Sequence, residues 1–578
     1  MKFLFPFLGL ATSAGAQNYS TSNATYTNPM LPGWHSDPSC TRIDDTFFCV
    51  TSTFIAFPGL PVYASKDLRN WKLISHVWNR DSQLPGLSWN TTQQQQGMYA
   101  ATLRQHAGEI YVVCEYLNPP GNITGVLFKT SDPYDDTAWS DPLIFRPRKI
   151  DPDLFWDDDG TLYVATQGII LQSLDTTTGE LSQPPISLWN GTGGVWPEGP
   201  HLYKKDGYYY LMIAEGGTAE DHAITIARSR NITGPYEAYA GNPILTARGT
   251  QNYFQTVGHG DLFQDEAGNW WGTGLATRSG PAYEVYPMGR ETVLFPVTWE
   301  EGEWPILQTV EGEMSGWSSM PSINRDVPGN GPFVSDPDVY DFQANSTIPK
   351  NLIHWRVPRS GAFKTTPAGL QITPSRANLT GIPFGPVELS GQRGLSFIGR
   401  RQTDTLFTYS VDLVSTPSSA GQEAGITVFL TQVNHIDLSV VYLASPNTTS
   451  GTAGQLSLRL RIETANVPIP APEPTIIPVP TSWNTSTIRL QISTPNNATY
   501  ELSAMPAENP GAAIKIGTAS AQFVSGGNGT FVGSLVGAFA TCNGAGEGDD
   551  CPEGGEAVFK RWRYEGLGQQ VGDDLVVL

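Results

Sequence analysis

A fivefold internal repeat constrains the fold of this chain more than any other feature of its sequence. Each copy runs from an apolar-polar lead through a turn containing Gly or Asp into an aromatic-rich strand. The copies begin at Asp37, Tyr99, Asp151, Glu198 and His259, at spacings of 47 to 62 residues. Further short strand segments follow each copy, so each unit has the size of a propeller blade. We therefore predict a five-bladed β-propeller.

The composition predicts an all-β chain with more than one domain. The chain has 578 residues, more than one ordinary core accommodates. Its 60 Gly and 45 Pro are typical of short strands joined by tight turns. Beyond the repeat, segments such as LFTYSVDLV and HIDLSVVYL alternate apolar and polar residues, which indicates half-buried antiparallel strands. We predict the propeller over residues 17–325 and a β-sandwich of the concanavalin or jelly-roll type over residues 326–578.

The N-terminal residues predict export from the cell. Lys2 precedes an apolar run, and Ala14-Gly15-Ala16 fits a cleavage site, so residues 1–16 are interpreted as a secretory signal peptide. No later segment has about 18 consecutive apolar residues, so no membrane span is predicted. Twelve N-x-S/T sequons are typical of a secreted glycoprotein. They lie at Asn18, Asn23, Asn90, Asn122, Asn190, Asn231, Asn345, Asn378, Asn447, Asn484, Asn497 and Asn528.

Four of the five cysteines form pairs that are close in sequence. Cys40 and Cys49 flank a predicted hairpin turn, and Cys542 and Cys551 flank a loop rich in Gly and Asp. We predict a disulfide in each pair, since export places the chain in an oxidising compartment. Cys114 remains, in the apolar run IYVVCEY, and is predicted to be a buried, unreactive thiol.

The net charge of -21 restricts the partners of the protein. A strongly negative surface repels nucleic acid and polyanionic substrates. A neutral polysaccharide remains compatible with this charge.

The repeat predicts where chemistry is located. In a propeller, the first strand of each blade lines the central channel, so the five repeat-equivalent residues converge on one axis. Three of them are acids: Asp37, Asp151 and Glu198. Glycoside hydrolysis needs two acids with different roles, and a third carboxyl can separate their pKa values. The competing interpretation is that Asp-Pro pairs and the DDDG at 157–160 only form turns.

Several motifs resemble those of glycoside hydrolase family 43. GWHSDPSC, IDPDLFWDDDG and WPEGPHLYKKDGYYYLMIAEGG match its three acid motifs in order, and PMGRET and VGHGD are further matches. FIGRRQTDTLFTYSVDL and GQEAGITVF resemble the concanavalin-like domain of its fungal and bacterial xylosidase-type members. The resemblance implies that Asp37 is the general base, Asp151 the pKa modulator and orienter, and Glu198 the general acid. It also implies inversion, with base and acid carboxyls about 6.5–9.5 Å apart.

The same resemblance implies further pocket residues. Arg290 resembles the arginine that holds the innermost sugar, and Phe54 an aromatic that closes the pocket. The alternatives are a surface arginine and an ordinary core phenylalanine. Tyr99 and Ala101 depart from the family, where Trp or Phe followed by Ala-Pro is frequent, which leaves the substrate preference open. His259 resembles an axial histidine found near a calcium ion or a water cluster, although a core histidine is an alternative and calcium prefers oxygen ligands.

The function implied is a secreted, exo-acting, inverting glycosidase of neutral plant hemicellulose that requires no cofactor. A structural calcium ion at the axis is left open as an alternative. The expected product is L-arabinofuranose from arabinoxylan side chains. A β-1,4-xylosidase, or an enzyme with both activities, is the first alternative. A non-catalytic sugar-binding propeller is a more remote one. A retaining fructosidase-type propeller is disfavoured because its Asn-Asp-Pro motif does not occur and none of the three repeat acids is followed by Cys, as its acid would be.

Overall fold

The structure is a computed structural model that describes residues 24–118, 121–385, 394–444, 454–483, 486–573 and 576–577. The predicted signal peptide and the sequons at Asn18, Asn23, Asn447 and Asn484 lie outside these residues. The described chain is almost entirely β-structure, which confirms the all-β class. Its helical segments are short: an α-helical turn at Leu87–Asn90 and 3₁₀ turns at Asp81–Gln83, Asp136–Ala138, Thr481–Trp483, Pro510–Ala512, Ala521–Val524 and Gly527–Gly529.

In the described residues, five antiparallel sheets follow one another along the chain, and each contains one repeat. A strand β1 (Thr25–Thr27) precedes them. Sheet I comprises β2 (Ser39–Ile43), β3 (Thr46–Val50), β4 (Gly59–Ser65) and β5 (Lys72–Trp78). Sheet II comprises β6 (Gly97–Met98), β7 (Thr102–His106), β8 (Glu109–Asn118), β9 (Asn122–Thr130) and β10 (Leu143–Phe145). Sheet III comprises β11 (Asp153–Trp156), β12 (Leu162–Thr166), β13 (Ile170–Ser173) and β14 (Ile186–Ser187).

The remaining strands of this half continue the same pattern. Sheet IV comprises β15 (Glu198–Lys205), β16 (Tyr208–Glu215), β17 (Ala223–Ser229), β18 (Glu237–Ala238) and β19 (Leu245–Thr246). Sheet V comprises β20 (Phe254–Gln264), β21 (Trp270–Arg278), β22 (Glu291–Thr298) and β23 (Ile306–Leu307). A strand β24 (Glu313–Ser315) follows them.

The inner strands of the five sheets form a closed ring. Strand β2 contacts β7, β7 contacts β11, β11 contacts β15, β15 contacts β20, and β20 contacts β2. The two ends of the ring are joined, because β1 pairs antiparallel with β24. Asn28 reinforces this closure by donating to the carbonyl of Leu294 at 3.0 Å and accepting from its amide at 2.8 Å. The arrangement is a β-propeller whose first strands face the axis.

The turn residues of the repeat explain the hairpins that begin each sheet. Gly108, Gly160, Gly207 and Gly268 have φ values between 73° and 84°. Glycine adopts this left-handed conformation without steric cost. The first repeat has no glycine there and turns at Asp44 with φ 52°, a conformation that Asp tolerates better than most residues.

The second half of the chain is a β-sandwich, as the alternating segments predict. Its strands are β25 (Asp338–Tyr340), β26 (Phe363–Thr366), β27 (Gly369–Ile372), β28 (Phe397–Arg401), β29 (Leu406–Leu413), β30 (Glu423–Thr431), β31 (Asn434–Ala444), β32 (Gly454–Glu463), β33 (Thr475–Pro478), β34 (Ile488–Asn496), β35 (Thr499–Pro506), β36 (Ile514–Ser520), β37 (Leu535–Thr541), β38 (Ala557–Gln570) and β39 (Val576–Val577). Among the described residues, one sheet has the order β26-β27-β38-β29-β34-β35-β36, with β25 and β39 also on β38. The other has the order β28-β37-β30-β31-β32-β33.

The two halves pack closely against each other. Residues 316–337 connect them, and the segment lies along sheet I, where the amide of Leu73 donates to Pro332 at 3.0 Å and that of Val334 to Trp71 at 2.9 Å. The predicted boundary at 325/326 lies within this segment. The hydrophobic core of the sandwich is continuous with Trp34 and Phe54 of the propeller. The sandwich is therefore docked beside the residues that line the propeller axis.

The cysteines are arranged as predicted. Cys40 and Cys49 lie opposite each other on β2 and β3 and form a disulfide, and a second disulfide joins Cys542 and Cys551. Cys114 is buried. In the part of the chain that the structure describes, no helix has the length and apolar character needed to cross a membrane.

Candidate active site

A cavity of about 240 Å³ lies at the propeller axis, where the five repeat-equivalent residues meet. Every site residue predicted from the sequence lines it: Asp37, Phe54, Tyr99, Asp151, Glu198, His259 and Arg290. Five more lining residues bear on the chemistry or shape of the site and are absent from that prediction: Ile150, Trp196, Thr218, His222 and Phe531. The repeat thus brings residues from five sheets into one site.

Three of the repeat-equivalent residues share an unusual backbone conformation. Asp37, Asp151 and His259 have φ values of 53°, 57° and 46°. Residues with a side chain rarely adopt this left-handed region, and each such residue costs roughly 1–3 kcal/mol. Such strain persists only where the surrounding structure holds it, and it is concentrated at functional sites. The same bend thus occurs where three strands enter the axis.

Asp37 is held as an ionised carboxylate. Its Oδ1 lies 3.1 Å from Arg290 Nη1, and its Oδ2 accepts a hydrogen bond from Ser52 Oγ at 2.8 Å. His259 Nδ1 lies 3.7 Å from the same Oδ1. Burial by itself would raise the pKa of Asp37, but Arg290, His259 and Ser52 together outweigh it and hold the pKa below its ordinary value. The group is therefore suited to accept a proton.

Glu198 has the opposite protonation preference. It begins β15, half-buried, and its Oε2 accepts a hydrogen bond from Gln167 Nε2 at 3.0 Å. Burial raises the pKa of Glu198 to about 7, and the negative charge of Asp37 adds to this, while Gln167 and Arg290 oppose it. Glu198 therefore holds its proton up to neutral pH and is suited to donate it.

Asp151 lies between these two acids in the repeat order and holds the backbone beside the second. Its Oδ2 accepts a hydrogen bond from the amide of Gly199 at 3.1 Å, directly after Glu198. Burial raises the pKa of Asp151 well above its ordinary value, and Glu198 and Asp37 raise it further. A neutral Asp151 leaves Asp37 as the one ionised member of the three acids, matched by the charge of Arg290.

Glycine is required after Glu198. Gly199 has φ 54°, and a Cβ there would lie 3.0 Å from the ring of His259. Burial lowers the pKa of His259 to about 4, so its ring is neutral at mildly acidic pH, where Asp37 is ionised and Glu198 is protonated. The strand that carries Glu198 therefore passes directly against a neutral imidazole.

Arg290 links the propeller site to the sandwich. Its Nη1 donates to Thr218 Oγ1 at 3.0 Å, and its Nη2 donates to the carbonyl of Phe531 at 3.1 Å. The ring of Phe531 stacks on Phe54 with centroids 5.8 Å apart, and Tyr99 meets Phe54 edge-on at 4.9 Å. These three rings form an aromatic wall beside the guanidinium group. Phe531 comes from a loop of the sandwich, so that domain contributes to the cavity.

His222 is a second buried imidazole at the cavity. Its Nδ1 donates to the carbonyl of Thr256 at 3.0 Å, and burial lowers its pKa to about 3. A Cβ at Gly258 would lie 2.4 Å from this ring, so the ring packs on bare backbone. Its only sequence signal is a lone histidine in HAITIARS, which indicates no particular role.

The axis below the cavity is filled by an arginine. Arg104 Nη2 lies 2.7 Å from Asp153 Oδ1, and Nη1 donates to Asp261 Oδ2 at 2.7 Å. The same Nη2 donates to His201 Nδ1 at 2.9 Å. Burial by itself would raise the pKa of Asp261, but the charge and hydrogen bond of Arg104 outweigh it and hold that pKa well below its ordinary value.

This arrangement bears on the predicted axial calcium ion and on His259 as its ligand. Among the described residues, no group of three or more His, Cys, Asp or Glu side chains is placed to hold a metal ion. The axial carboxylates Asp153 and Asp261 already carry the charge of Arg104. The residues present at the axis therefore do not fit a calcium ion, and no step below uses one.

The fold and the site define a class of enzyme. A propeller with an ionised and a protonated carboxyl in one cavity, joined to a concanavalin-like sandwich, is a glycoside hydrolase. The family model described as glycosyl hydrolases family 43 matches residues 26–305, and the one described as beta xylosidase C-terminal concanavalin A-like domain matches residues 339–565. The chain belongs to glycosyl hydrolase family 43.

Individual relatives agree with this assignment. The chain is 35% identical over 431 residues to the non-reducing end alpha-L-arabinofuranosidase BoGH43B of Bacteroides ovatus, covering 73% of this chain and 77% of that protein. It is 33% identical to a xylosidase/arabinosidase of Butyrivibrio fibrisolvens, covering 72% and 79%. Among solved structures, the Bacteroides ovatus xyloglucan PUL GH43B is similar with a TM-score of 0.78 at 31% identity, covering 94% of this chain and 100% of that one.

Proposed function

We propose that this glycosidase acts on hemicellulose from the non-reducing end, inverts the anomeric centre, and releases L-arabinofuranose from arabinoxylan side chains. The observation that carries the proposal is the opposite protonation preference of Asp37 and Glu198 in one cavity. A base and an acid are required together for hydrolysis with inversion.

In the proposed reaction, Glu198 and Asp37 each transfer one proton. Glu198 donates its proton to the glycosidic oxygen as the bond from that oxygen to the anomeric carbon breaks. Asp37 removes a proton from a water molecule, whose oxygen bonds to the anomeric carbon from the opposite face. Asp151 holds the Glu198–Gly199 backbone, and Arg290 holds Asp37 in its ionised form. Proton exchange with solvent then restores Glu198 and Asp37.

The shape of the cavity supports exo action on a single terminal sugar. Its volume of about 240 Å³ is below the roughly 300–1,000 Å³ typical of pockets for drug-sized ligands. Arg104 and its carboxylate partners fill the axis beneath it, so a polysaccharide has no path through the ring. Phe54, Tyr99 and Phe531 supply one wall.

A β-xylosidase is the second candidate, because relatives carry names for both activities. One is a xylosidase/arabinosidase, and another, from Humicola insolens and 32% identical, is a xylosidase/arabinosidase 43B. The extra hydroxyl of Tyr99 favours neither sugar, since it donates to the carbonyl of Gln95 at 2.7 Å within the wall. Tyr99 is thereby left to act through its ring.

Secretion and glycosylation are part of the proposal. The signal-peptide pattern and the two disulfides are typical of an exported protein. The sequon asparagines that are exposed are Asn90, Asn122, Asn190, Asn231, Asn345 and Asn497. Asn378 is buried, with 5% exposure, and we expect it to carry no glycan. The expected partner is a neutral polysaccharide, with no role for nucleic acid or a membrane.

Proton NMR of the reaction on arabinoxylan and on xylobiose tests the proposal. We expect arabinose from arabinoxylan, with the first-formed anomer inverted relative to the bond. A retained anomer would overturn the mechanism, and xylose from xylobiose without arabinose release would favour the second candidate. Glu198→Gln and Asp37→Asn should each lose at least a thousandfold in kcat/KM; full turnover in either would overturn the assignment of the acids. If neither arabinose nor xylose were released, the remaining candidate would be the non-catalytic sugar-binding propeller.

A further inference from the structure

Trp196 is a large aromatic residue that is exposed at the edge of the cavity. Its side chain lines the cavity, yet 65% of its surface is accessible. An exposed indole loses the free energy that burial of its apolar surface would provide. Trp196 also takes no part in the chemistry of the three acids described above.

The backbone of Trp196 is strained and held in place. Its φ is 54°, in the left-handed region, which is a genuine outlier for a bulky residue. The neighbouring carbonyls are both fixed: that of Val195 accepts from the amide of Gly216 at 2.9 Å, and that of Pro197 accepts from the amide of Gly168 at 2.8 Å. A strained backbone that the surrounding hydrogen bonds hold in place indicates a functional position.

The surroundings of the indole leave most of it open. A Cβ at Gly217 would lie 3.7 Å from Trp196 Cδ1, so one edge of the ring lies over glycine backbone. The ring lacks an aromatic partner within the described residues. Val195, with 61% exposure, lies beside it near Gly217 and extends the apolar surface. Together the two side chains offer an exposed apolar surface at the edge of the cavity, against which one sugar ring can lie.

Position relative to the acid indicates which sugar this is. Glu198 protonates the glycosidic oxygen, so the leaving group lies on the side of the cavity from which Glu198 approaches. Trp196 precedes Glu198 by two residues on the same chain segment. The electron-rich face of an indole attracts positively polarised hydrogen atoms, and the C–H groups of a pentopyranose, which has no exocyclic carbon, present a flat face of that kind.

We propose that Trp196 is the binding platform for the leaving-group sugar, a xylosyl residue of the hemicellulose main chain. The proposal rests on the proposed function. It holds for both candidate products, since arabinofuranose side chains and terminal xylose are both linked to xylosyl residues. Trp196 is thus a specificity-determining residue for the part of the substrate that leaves.

The test compares two substrates that share the sugar cleaved and differ in the leaving group. One is a xylo-oligosaccharide, carrying an arabinofuranosyl branch if that is the sugar released. The other is the methyl glycoside of the same pentose, whose methanol leaving group is too small to reach Trp196. For Trp196→Ala we expect the ratio of kcat/KM on the oligosaccharide to that on the methyl glycoside to fall about tenfold, mainly through KM. Trp196→Phe should restore most of the ratio.

Ile306→Ala is the matched control, because Ile306 is an exposed apolar residue (66%) on β23 outside the cavity. It should leave the ratio as in the unmodified enzyme. A Trp196→Ala variant with an unchanged ratio would overturn the platform while leaving the proposed function intact. An equal loss on both substrates would also overturn it, since Trp196 would then act by positioning Glu198. If the unmodified enzyme cleaved neither substrate, the proposed function would fail, and the platform with it.

Discussion

Arg290 Nη1 lies 3.1 Å from Asp37 Oδ1, and the same guanidinium group donates to the carbonyl of Phe531 in the sandwich. One side chain thus neutralises the ionised acid of the propeller and fixes the loop that closes the cavity from the other domain. A planar guanidinium with several donors in fixed directions can do both, which a lysine ammonium cannot. The charge state of Asp37 therefore depends on the docking of the two halves.

Arg290→Ala should move the acid limb of the pH profile. In the proposed mechanism the activity requires ionised Asp37 and falls as pH drops through the pKa of Asp37. Arg290 lowers that pKa, so its removal raises the pKa and shifts the acid limb of kcat/KM to higher pH, with a loss of at least about a hundredfold at the optimum. Arg230→Ala, an exposed arginine stacked on Tyr208, is the control. An unmoved acid limb in Arg290→Ala would contradict the role of Arg290.

Gln167→Met should move the opposite limb. Gln167 donates to Glu198 Oε2 and stabilises its ionised form, which lowers the pKa of Glu198. In the proposed mechanism the activity requires protonated Glu198 and is lost as pH rises through its pKa of about 7. Loss of the hydrogen bond raises this pKa, so the basic limb of kcat/KM should shift to higher pH. Gln264→Met, at the exposed end of β20, should leave the limb in place. A shift to lower pH would show that Gln167 acts differently.

Glu115→Gln should stabilise the protein at neutral pH. Glu115 is fully buried on β8, and burial raises its pKa well above the ordinary value. A carboxyl with a raised folded-state pKa contributes stability that is present below its unfolded pKa of about 4.3 and is lost as pH rises toward the folded value. Glutamine is neutral throughout, so Tm should rise by a few degrees at pH 7 and not at pH 4.

Scanning calorimetry at the two pH values checks this expectation. Glu473→Gln is the matched control, since Glu473 is exposed. An equal gain at pH 4 and pH 7 would indicate a packing effect instead of a titration, and a loss at pH 7 would show that the ionised form of Glu115 is required.

The fold class and the three acids could be predicted from the sequence because a repeat places its equivalent residues at equivalent positions in the structure. Equivalent positions in successive sheets converge on one axis, so Asp37, Asp151 and Glu198 become neighbours although up to 161 residues separate them. The sandwich could be predicted in the same way, from alternation of apolar and polar residues along its strands. In both cases the prediction depends on a regular pattern of residues within short segments of the sequence.

The other half of the site has no such signal. Phe531 reaches the cavity only because the sandwich docks on the propeller, and 241 residues separate it from Arg290. Gln95 accepts from the amide of Phe531 at 2.7 Å, and nothing in the run of four glutamines indicates this contact. The axial arginine is similar: Arg104 lies in an ordinary strand, and only the closed ring places it between Asp153 and Asp261.

Arg104→Met should destabilise the propeller strongly. The substitution keeps an apolar stem of similar length but leaves Asp153 and Asp261, both fully buried, without their cation. Removing one partner of a buried ion pair typically costs about 3–5 kcal/mol. Urea unfolding followed by tryptophan fluorescence should show the midpoint falling accordingly, whereas Arg42→Met, at an exposed hydrogen bond, should change it little. A loss below about 1 kcal/mol would mean that the two carboxylates take up protons readily in the folded state.

Removal of divalent metal should leave the activity intact. The axial carboxylates hold the guanidinium of Arg104, which supplies there the positive charge that a calcium ion would supply, and His259 contacts Asp37 with a neutral ring. Enzyme dialysed against EDTA should therefore keep its kcat/KM within about twofold, and added Ca²⁺ should not raise it.

Arg104→Met offers the converse comparison, since the unpaired carboxylates of Asp153 and Asp261 then face one another beside His201. If that variant folds, its Tm should rise with added Ca²⁺ while that of the unmodified protein does not, because oxygen ligands of this charge attract a hard cation. A reversible loss of activity on EDTA treatment of the unmodified enzyme would show that a metal ion binds at a place other than the occupied axial pair.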